Sequence, residues 1–459
     1  MPELPPAWIA KVLDTPWSSP VAKDFTSVCT DSRTIKPGTL FVAIKGPTRH
    51  GQEFLAQAKD SGATGALVEA LQPVDLPQIV VPDSIAALQK LAQVRRNEFK
   101  GTVIGITGSS GKTSTKELLA HLLGPSVSKT TGNFNNHLGV PLTILGANLT
   151  AKFWVIEAGV DKTGEMDPLV AMIQPDAVLL TFVGASHLEF FKRIESTAAE
   201  KSKLLMSVPA NGIVALHERE LSAFEAFQYL KSRVLVAGEP KTKLPANYHP
   251  TPAIYNSKPD GWELSIDSET YIIPLWTPGM AQNAVLCILI ARGLGVSAKT
   301  ISEHLLDWPG APLRGQWVRF NEGPASQRIY LDAYNCAPEG LVDSFWKFEK
   351  QARPETQHLF VLSAMGELGD AGLTLQKNAA AKAPLRPQDR VCLVGQNTGA
   401  MIEGLKLAGM KDIQLTMCPT VEDVKPILAY FEGDCFIKGS HYGSRLFTLA
   451  ALCTPLSLP

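Results

Sequence analysis

The sequence contains no pair of cysteines at a redox or metal-binding spacing. Its seven cysteines, at 29, 287, 336, 392, 418, 435 and 453, are scattered, odd in number and form no CxxC. This argues against a zinc module or disulfide framework and for free thiols in a reducing compartment. An excess of charge of one sign is also missing. With 43 basic and 44 acidic residues the net charge is −1, so no global field gathers a nucleic acid or an anionic membrane. No uncharged apolar run approaches the roughly 20 residues that span a bilayer. The start, MPELPPAWIAKVL, lacks the basic-then-apolar order of a secretion signal. Short repeats and low-complexity tracts are absent. A cytoplasmic monomer acting on small molecules, with no nucleic acid and no membrane insertion, is expected.

What is present suits a large globular chain. Its 459 residues are 45% hydrophobic and 19% charged, too long for one core, so two to three domains are expected. Residues 1–100 mix short β-rich runs, such as 39–44, with small helical stretches. A boundary falls near Lys100. Apolar runs then recur at 103–107, 153–158, 177–183, 212–216 and 233–237 with helical segments between several of them, the alternation of a largely parallel α/β domain. Residues 262–276 alternate like a β-hairpin, and 283–294 read as an apolar helix. The Pro/Gly-rich stretch Trp308-Pro309-Gly310-Ala311-Pro312-Leu313 reads as a linker. Beyond it strands are predicted at 328–333, 358–363, 390–394 and 434–437, with helices near 339–351, 374–382, 397–408 and 420–430, a second doubly wound α/β unit. The predicted division is 1–100, 101–311 and 312–459: a small α/β unit, a phosphate-loop α/β unit and a Rossmann-like α/β unit.

The sharpest local signal lies between the run 103–107 and a helical stretch from Lys112. Gly108-Ser109-Ser110-Gly111-Lys112-Thr113 places a glycine turn at a helix N-terminus, where backbone N–H groups and the helix dipole favour phosphate. Lys112 supplies a charge for the β and γ phosphates, and Thr113 a hydroxyl for Mg²⁺. Ile106 stands where the strict G-x-x-x-x-G-K-[ST] pattern has its first glycine, so the loop is a variant. The bland alternative is an ordinary strand-to-helix turn; the flanking elements favour ATP.

The segment Thr107-Gly108-Ser109-Ser110-Gly111-Lys112-Thr113-Ser114 resembles the ATP loop of the Mur ligases, which join amino acids to the UDP-muramoyl precursor of peptidoglycan. Thr30-Asp31-Ser32-Arg33 and Lys36-Pro37-Gly38-Thr39-Leu40-Phe41-Val42-Ala43-Ile44-Lys45-Gly46 are similar to the uridine-nucleotide-binding amino-terminal domain of the branch adding the third and later residues. Residues 132–141 (GNFNNHLGVP) and 332–338 (DAYNCAP) are most similar to the branch that adds D-alanyl-D-alanine. The matches run in order from about residue 26 to 446. The resemblance implies an ATP-dependent amide ligase acting through an acyl phosphate on a UDP-muramoyl-peptide and D-alanyl-D-alanine, with two Mg²⁺ ions.

It also implies roles for particular residues. Glu157, ending the run FWVIE, corresponds to a Mg²⁺-binding glutamate; by position alone it could equally be a capping or solvent-facing acid. His187 matches a site histidine, although Mg²⁺ prefers oxygen and a packed or surface histidine is the plainer reading. Lys201, which by pattern sits on a solvated helix face, aligns through Leu204-Leu205 with a lysine that CO₂ carbamylates into a metal ligand. Asn283, Arg314, Asp332, Tyr334 and Asn335 resemble the remaining nucleotide-binding residues: Arg314 for the phosphates, Asp332 for ribose, Tyr334 for adenine or for core packing. Ser32, Arg33, Lys45, Asn133, Asn135 and Asn136 are the expected contacts of the UDP-muramoyl-peptide.

Departures from the family pattern cluster late in the chain. Gly279-Met280-Ala281-Gln282 replaces a His-Asn pair, Ala337 and Gly340 replace an asparagine and a serine, Ser363-Ala364 replaces Gly-Asp before residues 365–369 (MGELG), and His441 replaces an arginine. Two alternatives follow. One is the sister ligase that adds a diamino acid as third residue, weakened by the absence of an Asp-Asn-Pro-Arg segment. The other is a nucleotide-binding paralogue without catalysis, opposed by intact Lys112, Thr113, Glu157, His187 and Lys201.

Overall fold

The computed structural model describes residues 3–240, 243–440 and 444–456; His441 lies outside the described residues. Three α/β units follow one another. In the first, Ser27–Cys29, Thr39–Val42, Ala63–Val68 and Gln78–Val80 form a four-stranded sheet, parallel throughout. The helix Ser84–Glu98 follows, its N-terminus capped by Asp83, which accepts hydrogen bonds from the N–H groups of Ile85 and Ala86.

This helix also ties the first unit to the second. Leu88, Leu91 and Ala92 share one buried cluster with Val140, Ile144 and Trp154, and Phe99 stacks on Trp154 at 4.0 Å. Arg96 adds polar anchorage, donating to the carbonyls of Ile173 at 2.8 Å and Gln174 at 2.6 Å.

The central sheet has seven parallel strands in the spatial order Tyr248–Thr251, Arg233–Ala237, Ile213–His217, Ala177–Leu180, Thr102–Thr107, Phe153–Glu157, Val127–Lys129. Successive strand residues alternate between two cores: Val103, Trp154, Ile156, Val178 and Val214 face one, Ile104, Ile106, Val155, Leu179 and Ala215 the other. A sheet covered on both faces has no polar side, which is why these strands read as continuous apolar runs. Helix Pro278–Gly293 is buried almost all round, as its unbroken apolar sequence requires. The predicted hairpin is the last part of a three-stranded antiparallel sheet, Ala253–Lys258, Gly261–Ile266 and Glu269–Pro274.

The third unit holds a second seven-stranded sheet, ordered Leu415–Cys418, Arg390–Val394, His358–Ser363, Asp434–Lys438, Arg328–Asp332, Gln316–Phe320, Cys453–Pro455. Its first five strands are parallel; Gln316–Phe320 runs antiparallel to both its neighbours. Gln316–Phe320, Leu415–Cys418 and Cys453–Pro455 were not among the predicted strands. They lie toward the sheet's edges and are partly exposed, so their sequences carry no sustained apolar run.

Strand Thr102–Thr107 lies between Phe153–Glu157 and Ala177–Leu180. The chain leaves it toward the Val127–Lys129 edge and later returns to build the other side, so the strand marks the topological switch point. Ligands bind outside the carboxyl ends of strands at such a point.

Candidate active site

The loop after Thr107 begins with Gly108, whose φ is +149°. A side chain there would lie 1.9 Å from Thr181 Oγ1, so glycine alone fits. The neighbouring strand end holds the loop. Ser109 N–H donates to Phe182 O at 2.6 Å, Thr181 Oγ1 to Ser110 O at 2.6 Å, and Ser186 Oγ to Ser109 O at 3.2 Å. Gly111, at φ +79°, caps helix Lys112–Leu122 without a side-chain acceptor, which leaves the first helical N–H groups available for a ligand. Lys112 folds back over the loop, its Nζ donating to Gly108 O at 2.9 Å. Burial lowers its pKa, opposed by the charges of Glu157 and Asp161 and reinforced by Arg314.

Glu157 is the hub on the next strand. It is 1% exposed and accepts hydrogen bonds from Thr113 Oγ1 at 3.1 and 3.3 Å and from Asn135 Nδ2 at 2.7 Å. Beneath it Lys116, one helical turn after Lys112 and 0% exposed, lies 3.9 Å from Glu157 Oε2 and 3.1 Å from Glu117 Oε1, and donates to Gly132 O at 3.0 Å. One buried lysine therefore links the phosphate-loop helix, the hub carboxylate and the start of the asparagine-rich loop. Asn133, Asn135 and Asn136 line the same cleft as Ser109–Ser114. Asn136 also accepts from the N–H groups of Leu138 and Gly139, fixing the entry to helix Gly139–Gly146.

On the far side His187 adopts a left-handed backbone, φ +57°. Its Nε2 lies 3.4 Å from Asp161 Oδ1 and its Nδ1 lies 2.8 Å from Glu367 Oε2. The Nδ1 contact has the distance of an ion pair without the alignment of a hydrogen bond. Both ring nitrogens thus face carboxylates, and the His187 contact holds the Glu367 carboxyl below its usual range. Lys201 is not on a solvated face. On helix Ile194–Met206 it shares the buried stripe with Ala198, Leu204 and Leu205 and is 1% exposed. Burial and the charge of Lys112 pull its pKa down to about 7, against Asp161 and Glu200.

The third unit completes the cleft, whose volume is about 960 Å³. Arg314 stacks over the Tyr334 ring at 4.3 Å. Asp332 is already engaged, accepting from Ser344 Oγ at 2.5 Å and from Lys438 Nζ at 2.6 Å. Asn335 Oδ1 accepts from the Cys336 N–H. Asn283 is buried with its amide against Gly111, where an added Cβ would lie 2.5 Å from Nδ2. In the altered segment 279–282, Gly279 N–H donates to the half-buried Asp343 at 2.8 Å, so helix Pro338–Gln351 of the third unit caps helix Pro278–Gly293 of the second.

Not every expected residue converges. Ser32, Arg33 and Lys45 lie in the connections of the first unit and are not among the residues lining this cleft. Ser32 bonds Gln57, and the exposed Arg33 pairs with Asp31. Asp161, Lys116, Lys438, Asp343 and Glu367 were missed from sequence. Lys116 had a signal, since it falls on the helix face marked as buried by Thr115, Leu119 and Leu122.

A glycine loop at a switch point, a lysine and threonine above a buried glutamate, and an arginine and aspartate from a following α/β unit define a nucleotide-dependent enzyme of three units. Comparison with known proteins narrows this. The model described as Mur ligase middle domain matches residues 106–291, and the one described as Mur ligase family, catalytic domain matches residues 24–97, together more than half of the 459 residues. The chain belongs to the Mur ligase family. It is 29% identical over 82% of its length to the UDP-N-acetylmuramoyl-tripeptide--D-alanyl-D-alanine ligase of Escherichia coli (strain K12), covering 82% of that protein. To the Bacillus subtilis (strain 168) ligase of the same name it is 28% identical over 82% of its length, covering 81% of that protein. The fold is that of MurF from Acinetobacter baumannii, with a TM-score of 0.79 at 24% identity over 98% of both chains. MurF from Thermotoga maritima in complex with ADP superposes with a TM-score of 0.72 at 24% identity, over 93% of this chain and 96% of that one.

Proposed function

We infer that the chain is an ATP-dependent ligase that joins D-alanyl-D-alanine to UDP-N-acetylmuramoyl-tripeptide through an acyl phosphate, in cytoplasmic peptidoglycan-precursor synthesis. The observation that carries this reading is the convergence of Thr113, Asn135 and Lys116 on Glu157, directly beneath a helix N-terminus left open for phosphate. Residues 1–100 hold the UDP end of the acceptor, with Ser32, Arg33 and Lys45 as its contacts. Residues 101–311 hold ATP, and 312–459 present the amine. The chain acts on small molecules as a monomer in this reading.

ATP lies along the N–H groups of residues 108–114, with Lys112 turned from Gly108 O onto the phosphates. Arg314, Asn283, Asp332, Tyr334 and Asn335 surround the remainder of the nucleotide. The tripeptide carboxylate, guided by Asn133, Asn135 and Asn136, attacks the γ phosphorus. An O–P bond forms, and the bond to the bridging oxygen breaks with its electron pair leaving on ADP. The dipeptide amine then attacks the acyl carbon, a C–N bond forms, and phosphate departs with the C–O electron pair. Positioning and fixed charge do most of this work.

The donor set fits Mg²⁺. Thr113 and Glu157 offer hard oxygens side by side, and among the described residues no group of three or more His, Cys, Asp or Glu forms a metal cage, so phosphate and water would complete the shell, as this ion prefers. Thr113 and Glu157 would hold one ion; Asp161 and a carbamylated Lys201, with His187 beside them, would hold a second. Bound there, Mg²⁺ neutralises charge on the transferring phosphoryl oxygens.

The test is phosphate release from ATP, expected only when UDP-N-acetylmuramoyl-tripeptide and D-alanyl-D-alanine are both present and lost in Lys112→Ala. Turnover with a free diamino acid in place of the dipeptide, or no turnover with any amine, overturns the reading.

A further inference from the structure

We propose that Glu367 receives the positively charged amino group of the incoming dipeptide and holds it beside the acyl phosphate. The assignment rests on the ligase reading above and gives that site its amine-binding residue.

An amine arrives in water as an ammonium ion, so a cleft that presents it to an acyl phosphate needs an anion not already committed to the protein. Six carboxylates line the cleft: Glu157, Asp161, Asp332, Glu339, Asp343 and Glu367. Glu157 is bound by Thr113 and Asn135, Asp332 by Ser344 and Lys438, and Asp343 by the Gly279 N–H. Asp161 lies on the other side of His187, 3.4 Å from Nε2 and toward Lys112 and Lys201, and is the acid given above to the second metal position. Glu339 faces the backbone of residues 184–185. Glu367 remains. Its side chain is 38% exposed to the cleft, and its described protein contact uses one oxygen, toward His187.

The backbone strengthens the choice. Glu367 has φ +62° and His187 φ +57°, a left-handed conformation that histidine visits more readily than glutamate and that costs about 1–3 kcal/mol for a residue other than glycine. These two strained residues belong to different units, yet they face each other at 2.8 Å, and the Glu189 N–H donates to Glu367 O at 3.3 Å to lock the two loops together. Strain kept at both ends of a contact between units marks a position where direction matters more than local comfort. The direction is useful: Asp161, His187 and Glu367 run in sequence from the phosphate-loop lysine to the third unit. An ammonium on the free oxygen of Glu367 would therefore enter the cleft on the third-unit side of His187, facing the phosphate loop.

Ligation from that position is balanced. The ammonium first passes one proton to water, which frees the nitrogen lone pair; the amine then forms the C–N bond, and as the acyl C–O bond breaks the second proton leaves on the departing phosphate.

The experiment compares the full-length parent with Glu367→Gln, Glu367→Asp and Glu339→Gln. Acyl phosphate is trapped by borohydride reduction with ATP and UDP-N-acetylmuramoyl-tripeptide but no dipeptide, and steady-state KM values are then measured for each substrate. Glu367→Gln is expected to form acyl phosphate at the parental level and to keep its KM for ATP and for the UDP-peptide. Its KM for D-alanyl-D-alanine is expected to rise about ten- to hundredfold, the loss typical of one charge-assisted contact, with Glu367→Asp intermediate. The parent is expected to bind the dipeptide more tightly than an analogue carrying a hydroxyl in place of the amine, and Glu367→Gln to abolish that preference. An unchanged dipeptide KM, loss of acyl phosphate in Glu367→Gln, or the same signature in Glu339→Gln instead overturns this assignment alone. A parent that traps no acyl phosphate overturns the ligase reading and this assignment with it.

Discussion

Lys201→Met is the substitution whose outcome the structure constrains most closely. The lysine is 1% exposed, and burial together with Lys112 pulls its pKa from the ordinary 10.5 to about 7. A tenfold change in proton affinity is about 1.4 kcal/mol, so the charged lysine is roughly 5 kcal/mol less favourable in the folded chain than in the unfolded one, to order of magnitude. The sign follows from proton counting. Between pH 7 and 10.5 the unfolded lysine keeps its proton while the folded one has released it, so the unfolded state binds more protons and stability rises with pH across that window. Below pH 7 the full penalty is present and constant. Methionine has a similar volume and no charge. The variant should therefore be more stable than the parent by several kcal/mol at pH 6.5, with the gap narrowing steadily toward pH 10. Urea unfolding of both proteins in metal-free, CO₂-free buffer at three pH values measures this as a difference in midpoint at unchanged slope. Parallel pH profiles for parent and variant would refute the reasoning. Bicarbonate at pH 7.5 adds a second readout: the free amine reacts with CO₂ to form a carbamate and release a proton, so a ¹³C carbamate resonance is expected from the parent and not from the variant.

Two other substitutions test the frame around the phosphate loop. Lys116→Met removes the wholly buried cation that serves Glu157, Glu117 and Gly132 O; leaving a buried carboxylate without its partner costs about 3–5 kcal/mol, readable in urea, and a loss below about 1 kcal/mol would show that the lysine is dispensable. Gly111→Ala forces a side chain onto a φ of +79° and to within 2.5 Å of Asn283 Nδ2; calorimetry should show ATP binding weakened at least about tenfold, the effect of roughly 1.4 kcal/mol, with UDP-peptide binding retained, and unchanged ATP affinity would mean that Asn283 does not need its present place.

Local features were legible in the sequence because local physics sets them. A buried strand, a glycine that alone tolerates φ +149° and a helix beginning at Lys112 need only neighbours along the chain to form the loop. Alternating cores made the strands of both large sheets visible as apolar runs, whereas Val127–Lys129 and Cys453–Pro455, three residues each at a sheet edge, left no pattern to see. Glu157 was placed by resemblance, and its hold on Asn135 could not be read, because that bond joins a loop to a strand end 22 residues further on. Lys201 was misassigned to a solvated face by its charge, although the spacing of Ala198, Lys201 and Leu205 puts it on the buried stripe. Glu367 and Asp343 escaped entirely: their importance arises where one unit meets another, and no periodicity within a segment encodes that.

Burial is the main cause of the lowered pKa values of Lys112 and Lys201, and the charges around them modify it. At Lys112 the charges of Glu157 and Asp161 each outweigh the opposing charge of Arg314, whereas at Lys201 the charge of Lys112 outweighs Asp161 or Glu200 taken singly. Cations so crowded in a partly buried cleft repel one another, and holding them there works against folding. A triphosphate laid along residues 108–114 would add an attraction for each of these cations, so positions that are costly without nucleotide become favourable in the complex once Lys112 turns from Gly108 O onto the phosphates. The same logic orders the events at Lys201: the nucleotide's negative charge favours the ammonium form, and CO₂ needs the free amine. The amine is therefore most available before ATP binds, so the carbamylation proposed for Lys201 is expected to precede nucleotide binding.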